Sequence, residues 1–226
     1  MIKWEEIINK FHFSNISFLS LLCLLLLFTA LWLPFKYLIP SPIGYRETML
    51  LLTLLLFFPL SYFFIKKGLL EKKVIGFTLG NSPLFTIISG VIAGILPYLI
   101  CVLLKYPYAG GNNNLYDTLT STVYAPVWEE FYFRGLFFTF FILASYKIFF
   151  KKAIENSKSY WVLVIFSLII GIMATTIFFT LIHTDATKSI FFASISYNIV
   201  YFLNGSLISP IIAHSIYNLL VILRLL

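Results

Sequence analysis

Four uncharged runs decide what this chain can become: ISFLSLLCLLLLFTALWLPF at 16–35, TMLLLTLLLFFPLSYFFI at 48–65, LFTIISGVIAGILPYLICVLL at 84–104 and YWVLVIFSLIIGIMATTIFFTLI at 160–182. Each approaches or exceeds the roughly 20 apolar residues a helix needs to cross a hydrocarbon layer about 30 Å thick. The runs are continuous, whereas the strands of a membrane barrel alternate apolar and polar residues. The sequence therefore predicts an all-α, polytopic transmembrane helix bundle. Composition agrees, since 60% of the residues are hydrophobic and only 11% charged, against about 25% charged in a soluble domain.

Applied along the whole chain, the same reading predicts about seven spans, with six to eight as the range: 16–35, 48–65, 84–104, 119–149, 160–182, 188–203 and 206–224. The fourth is longer than a bilayer requires, and the sixth is short enough to be a partial or strongly buried span. The connections KKGLLEKK (66–73), KYPYAGGNNNLYD (105–117) and KIFFKKAIENSK (147–158) are short and polar. None holds a core of its own, so residues 1–226 are expected to form one integral membrane domain in the cell membrane.

The net charge of +7 points to membrane orientation rather than to nucleic acid, because loop lysines in such proteins collect on the cytoplasmic side. With the N-terminus inside, ten basic residues fall on the inner side and five on the outer. The opening MIKWEEIINKFH carries Glu5 and Glu6 beside its lysines, and no small-residue cleavage site clearly follows the first apolar run, which predicts a retained first helix. Cys23 and Cys101 lie in apolar runs and read as small hydrophobes. His12 is assigned no role.

Charges inside the membrane carry the functional information, because each costs about 2.5–3.5 kcal/mol to insert near the bilayer centre. They are Glu129, Glu130, Arg134, His183 and His214, with the amide Asn218 beside them. In the seven-span arrangement they fall in the outer half or near the middle of three helices, so one polar patch is expected. Residues four apart on a helix are separated by about 40°, and residues five apart by about 140°. Glu130 is thus the natural partner of Arg134, and Glu129 is free to face elsewhere. A carboxylate and an imidazole can hold and deprotonate a water. A second imidazole and an amide can donate to an oxyanion.

APVWEEFYFRG (125–135), FFTLIH (178–183) and HSIYN (214–218) resemble the EExxxR, FxxxH and HxxxN motifs of the CAAX prenyl protease and bacteriocin-processing family, the CPBP or Abi intramembrane glutamic proteases. The motifs occur in the family's order within a motif-bearing core at 119–226. The resemblance implies a metal-independent endopeptidase without a cofactor, in which Glu129 is the general base, His183 positions the water, and His214 with Asn218 forms the oxyanion hole. It leaves Glu130 and Arg134 as supporting residues. The implied substrate is a peptide or membrane-protein terminus, in bacterial peptide maturation or bacteriocin immunity.

Other readings remain open at this stage. A buried Glu–Arg pair can simply lock helices together, and an intramembrane histidine can be a helix contact. Glu129, His183 and His214 form a conceivable zinc triad, although HExxH is absent. The patch could also bind without cutting, in a transporter, an immunity factor or a scaffold. Asp117 and Asp185 read as solvated loop residues, with Asp185 close enough in sequence to orient His183.

Overall fold

A computed structural model describes residues 15–38, 42–72, 75–80, 82–106, 114–150, 157–183 and 187–223. His12, Asp185 and most of the GGNNN turn lie outside these residues. All regular structure among the described residues is helical and falls into seven rods. They are α1 (Asn15–Leu38), α2 (Pro42–Leu52 continuing through Thr53–Phe57 into Phe58–Lys66), α3 (Pro83–Leu103), α4 (beginning at Leu115–Leu119 and ending with Thr139–Phe150), α5 (Ser157–Leu181), α6 (Thr187–Asn204) and α7 (Ile208–Leu223). Each coincides with one expected apolar run. Among the described residues, three helical stretches are long and apolar enough to cross a membrane, Tyr45–Lys66, Pro83–Leu103 and Val162–Leu181, and Ser17–Trp32 and Ile208–Leu223 are shorter apolar helices.

The outward faces are apolar, with Leu26, Leu55, Ile92, Leu96, Leu103 and Ile165 exposed, as lipid requires and water would penalise. The interior has two parts. Phe28, Phe57, Phe131, Tyr132 and Phe133 form an aromatic core that joins α1 and α2 to α4. Within it the rings of Phe28 and Tyr132 stack at 4.7 Å, and the Tyr132 hydroxyl meets Thr29 at 2.9 Å. Ala93, Tyr98, Ala193, Tyr197, Ala213 and Tyr217 form the second part, between α3, α6 and α7.

The position of α7 depends on two glycines spaced GxxxG on α3. A Cβ placed on Gly90 would sit 2.8 Å from the Ser209 carbonyl oxygen, and one on Gly94 would sit 2.5 Å from that of Ala213. Only hydrogen fits there, so backbone meets backbone, which is how small-residue motifs bring membrane helices together. The segment between α2 and α3 also enters the interior, with Leu70 and Ile75 buried, and the Leu207 N–H donates to the Gly76 carbonyl at 3.1 Å. Asp117, expected in a loop, lies in the first turn of α4, where its backbone N–H donates to the Asn114 side chain at 2.7 Å. That contact is an ordinary N-cap, which favours Asn at this position.

Candidate active site

Pro126 lies between two irregular stretches of α4. The helix runs in wide, π-type turns over Thr120–Tyr124, returns to α over Ala125–Glu130, and widens again over Phe131–Phe138. In the first wide turn the Ala125 N–H donates to the Thr120 carbonyl, five residues back. The Ser121 carbonyl would then need the N–H of residue 126, and proline has none. The Asn218 side-chain nitrogen, arriving from α7, donates to that orphaned oxygen at 2.8 Å. Such single wide turns recur at functional positions in helices.

Arg134 and Glu130 form the ion pair their spacing predicts, with Nε to Oε2 at 3.1 Å and Nη1 donating to Oε1 at 3.2 Å. Both side chains are fully buried. The pair also reaches beyond its own helix. Arg134 Nη2 donates to the Ser194 hydroxyl of α6 at 2.8 Å, and the guanidinium lies 4.7 Å from the ring centroid of Phe179 on α5. Glu130 Oε1 accepts from His214 Nδ1 of α7 at 2.7 Å. One charge pair therefore ties four helices, and Glu130 reaches His214, the histidine that the family resemblance implies for the oxyanion hole.

Glu129 is 6% exposed. Its Oε2 lies 3.6 Å from His183 Nε2 and 3.9 Å from His214 Nε2. The far nitrogens fix both rings. His183 Nδ1 lies 2.7 Å from the Phe179 carbonyl, which can only accept, so this nitrogen carries a hydrogen. His214 Nδ1 faces a carboxylate and carries one for the same reason. Both imidazoles thus present Nε2 toward one carboxylate oxygen.

These groups open onto a cavity of about 210 Å³ lined by Glu129, His183, His214, Asn218 and Tyr197, among others. The structure thus gathers Glu129, Glu130, Arg134, His183, His214 and Asn218, the six residues singled out by sequence, into one cluster. Three further participants escaped the sequence reading. Arg46, from the start of α2, lines the cavity and donates to the Ser121 hydroxyl at 2.9 Å; its place at the outer end of an expected span was the available signal. Ser194 and Tyr197 lie three apart on α6 and share a face, but they carry no charge to draw notice. Among the described residues there is no group of three or more His, Cys, Asp or Glu side chains arranged to hold a metal ion.

Residues 111–220 match the family of type II CAAX prenyl endopeptidases described as Rce1-like. No curated protein and no solved structure matches the chain significantly.

Proposed function

We propose that this chain, which belongs through residues 111–220 to the type II CAAX prenyl endopeptidase family, is a membrane endopeptidase in which Glu129 and His183 activate the attacking water. One observation carries the reading: a buried carboxylate whose Oε2 has no hydrogen-bond partner among the described residues faces two imidazole nitrogens at a cavity wall. A water held there would give a proton to Glu129 as its oxygen attacks the peptide carbonyl carbon. The carbonyl electrons move onto oxygen, and donors in the cavity wall stabilise the oxyanion. The proton then passes to the amide nitrogen, the C–N bond breaks, and an amine and a carboxylic acid leave.

Glu130 and Arg134 support this chemistry from behind. Glu130 holds the His214 ring in orientation, and Arg134 neutralises the carboxylate that does so. Water activation in this scheme needs no metal, and we place the physiological role in bacterial peptide maturation or bacteriocin immunity. The purified chain in lipid nanodiscs, incubated with a farnesylated CaaX peptide and a proteome-derived peptide library, should yield cleaved products by mass spectrometry. Glu129→Gln should lower the rate by about 10²–10⁴-fold without changing thermal stability by more than a few degrees. Equal cleavage by wild type and Glu129→Gln would sink the reading, and loss of activity to a chelator with recovery on zinc addition would replace its metal-free chemistry.

A further inference from the structure

Two residues that line the cavity each carry a buried polar atom with no hydrogen-bond partner among the described residues, Glu129 Oε2 and the Tyr197 hydroxyl. The first is the acceptor assigned above as the base. The second is a donor that no motif accounts for. Folded proteins pair nearly all such groups, and an orphaned one costs about 1–3 kcal/mol. An unpaired donor and an unpaired acceptor in one wall are the complement of a reacting water and carbonyl.

Tyr197 is held in place by the site itself. It is 1% exposed, its ring stacks on the His214 imidazole at 5.1 Å and 23°, and the Arg134 guanidinium carbon lies 5.2 Å from its centroid. The hydroxyl is therefore pre-positioned at the end of a ring with two charged or polar supports, which lets it act without reorganisation. The donors implied by sequence are less available than expected. Asn218 commits one of its two amide hydrogens to the Ser121 carbonyl. His214 spends its Nδ1 hydrogen on Glu130, so donation from Nε2 as well requires a doubly protonated ring. A phenol donates while neutral.

We propose that Tyr197 is a further catalytic residue, whose hydroxyl donates to the substrate carbonyl oxygen as it becomes the oxyanion. The proposal rests on the endopeptidase reading above. Tyr197 keeps its proton throughout, and no bond to it forms or breaks.

The test uses the full chain in nanodiscs and the first peptide that the wild type cleaves from the farnesylated CaaX peptide and peptide library. Tyr197→Phe keeps the ring on His214 and removes only the donor. It should lower kcat by about 100-fold, as removal of one oxyanion donor does, with KM within twofold. A phosphinic analogue of that peptide, which mimics the tetrahedral anion, should bind Tyr197→Phe more weakly by a similar factor, while the uncleaved peptide binds as before to a Glu129→Gln background. A kcat within twofold of wild type, or undiminished binding of the phosphinic analogue, overturns the role of Tyr197 while the Glu129 dependence still stands. If wild type cleaves nothing, or Glu129→Gln cleaves equally well, the endopeptidase reading fails and this inference goes with it.

Discussion

Two polar clusters draw on α6, one where its last turn meets α3 and one where its middle meets α4, and they are built differently. The first gathers Thr78, Thr86, Ser89, Asn204 and Ser206. It is uncharged and closed: Asn204 donates to the Ser89 hydroxyl and the Val200 carbonyl, both at 2.9 Å, and its Oδ1 accepts from Thr86 at 3.3 Å. Thr78 donates to the Gly205 carbonyl at 2.8 Å and Ser206 to the Thr78 carbonyl at 2.6 Å. The second, around Glu129, is charged, opens on a cavity, and leaves an acceptor and a donor unpaired. Polar side chains that serve only to join helices can satisfy one another completely. A cluster that must receive a water and a peptide has to leave capacity for them, and its cost is borne by the folded protein.

The largest expected effect comes from breaking the charged cluster's internal support. Arg134→Leu strands the Glu130 carboxylate in a fully buried position, which should cost about 3–5 kcal/mol of stability, as removal of one partner from a buried pair does. Denaturation of the purified protein in detergent measures it. Removing both charges, in Arg134→Met with Glu130→Gln, should recover much of that loss, because no unpaired charge then remains. A cost below about 1 kcal/mol for the single change would mean that the pair does not hold the four helices.

The next effect separates the clusters by register along α3. Gly94→Ala drives a Cβ against the Ala213 carbonyl, one residue from His214, and a backbone atom cannot swing aside. A displacement near 1 Å at a catalytic group can cost about 10²-fold, so kcat should fall by that order in protein that is still folded. Gly90→Ala makes the corresponding collision with the Ser209 carbonyl, beside the closed cluster, and should lower stability with a smaller loss in kcat. Equal kcat losses for the two would show that α7 moves as one body and that the register distinction is false.

The charged cluster was legible in the sequence because charge is costly in lipid: a chain this apolar advertises every carboxylate and imidazole it keeps. The spacing also separated the two glutamates correctly with respect to Arg134. It did not reveal that Glu130 reaches His214, because the register of α7 against α4 is set by Gly90 and Gly94 on a third helix. Nor did it reveal the bond from Asn218 to Ser121, which exists because a wide turn and Pro126 together orphan one carbonyl. Arg46 and Tyr197 were hidden for related reasons, since the one comes from a helix without a motif and the other is an uncharged aromatic among many. All seven helices were readable as apolar runs, whereas the closed cluster was not, because Thr, Ser and Asn are tolerated singly along any such helix.

Asn204→Ala is the smallest perturbation and tests whether the closed cluster is purely structural. It removes three hydrogen bonds at once, yet side-chain hydrogen bonds between membrane helices are worth only about 0.6 kcal/mol on average and at most about 2. Ser89 and Thr86 can each turn to another carbonyl: Thr86 lies 3.0 Å from that of Leu79 and Ser89 lies 3.3 Å from that of Thr86. A loss of about 1 kcal/mol is therefore expected, with kcat unchanged, because none of these hydrogen bonds ends on a side chain that lines the cavity. A fall in kcat comparable to that of Gly94→Ala would mean that the packing transmits strain from Asn204 to His214. Closure of the first cluster would then be part of what holds the second in its open arrangement.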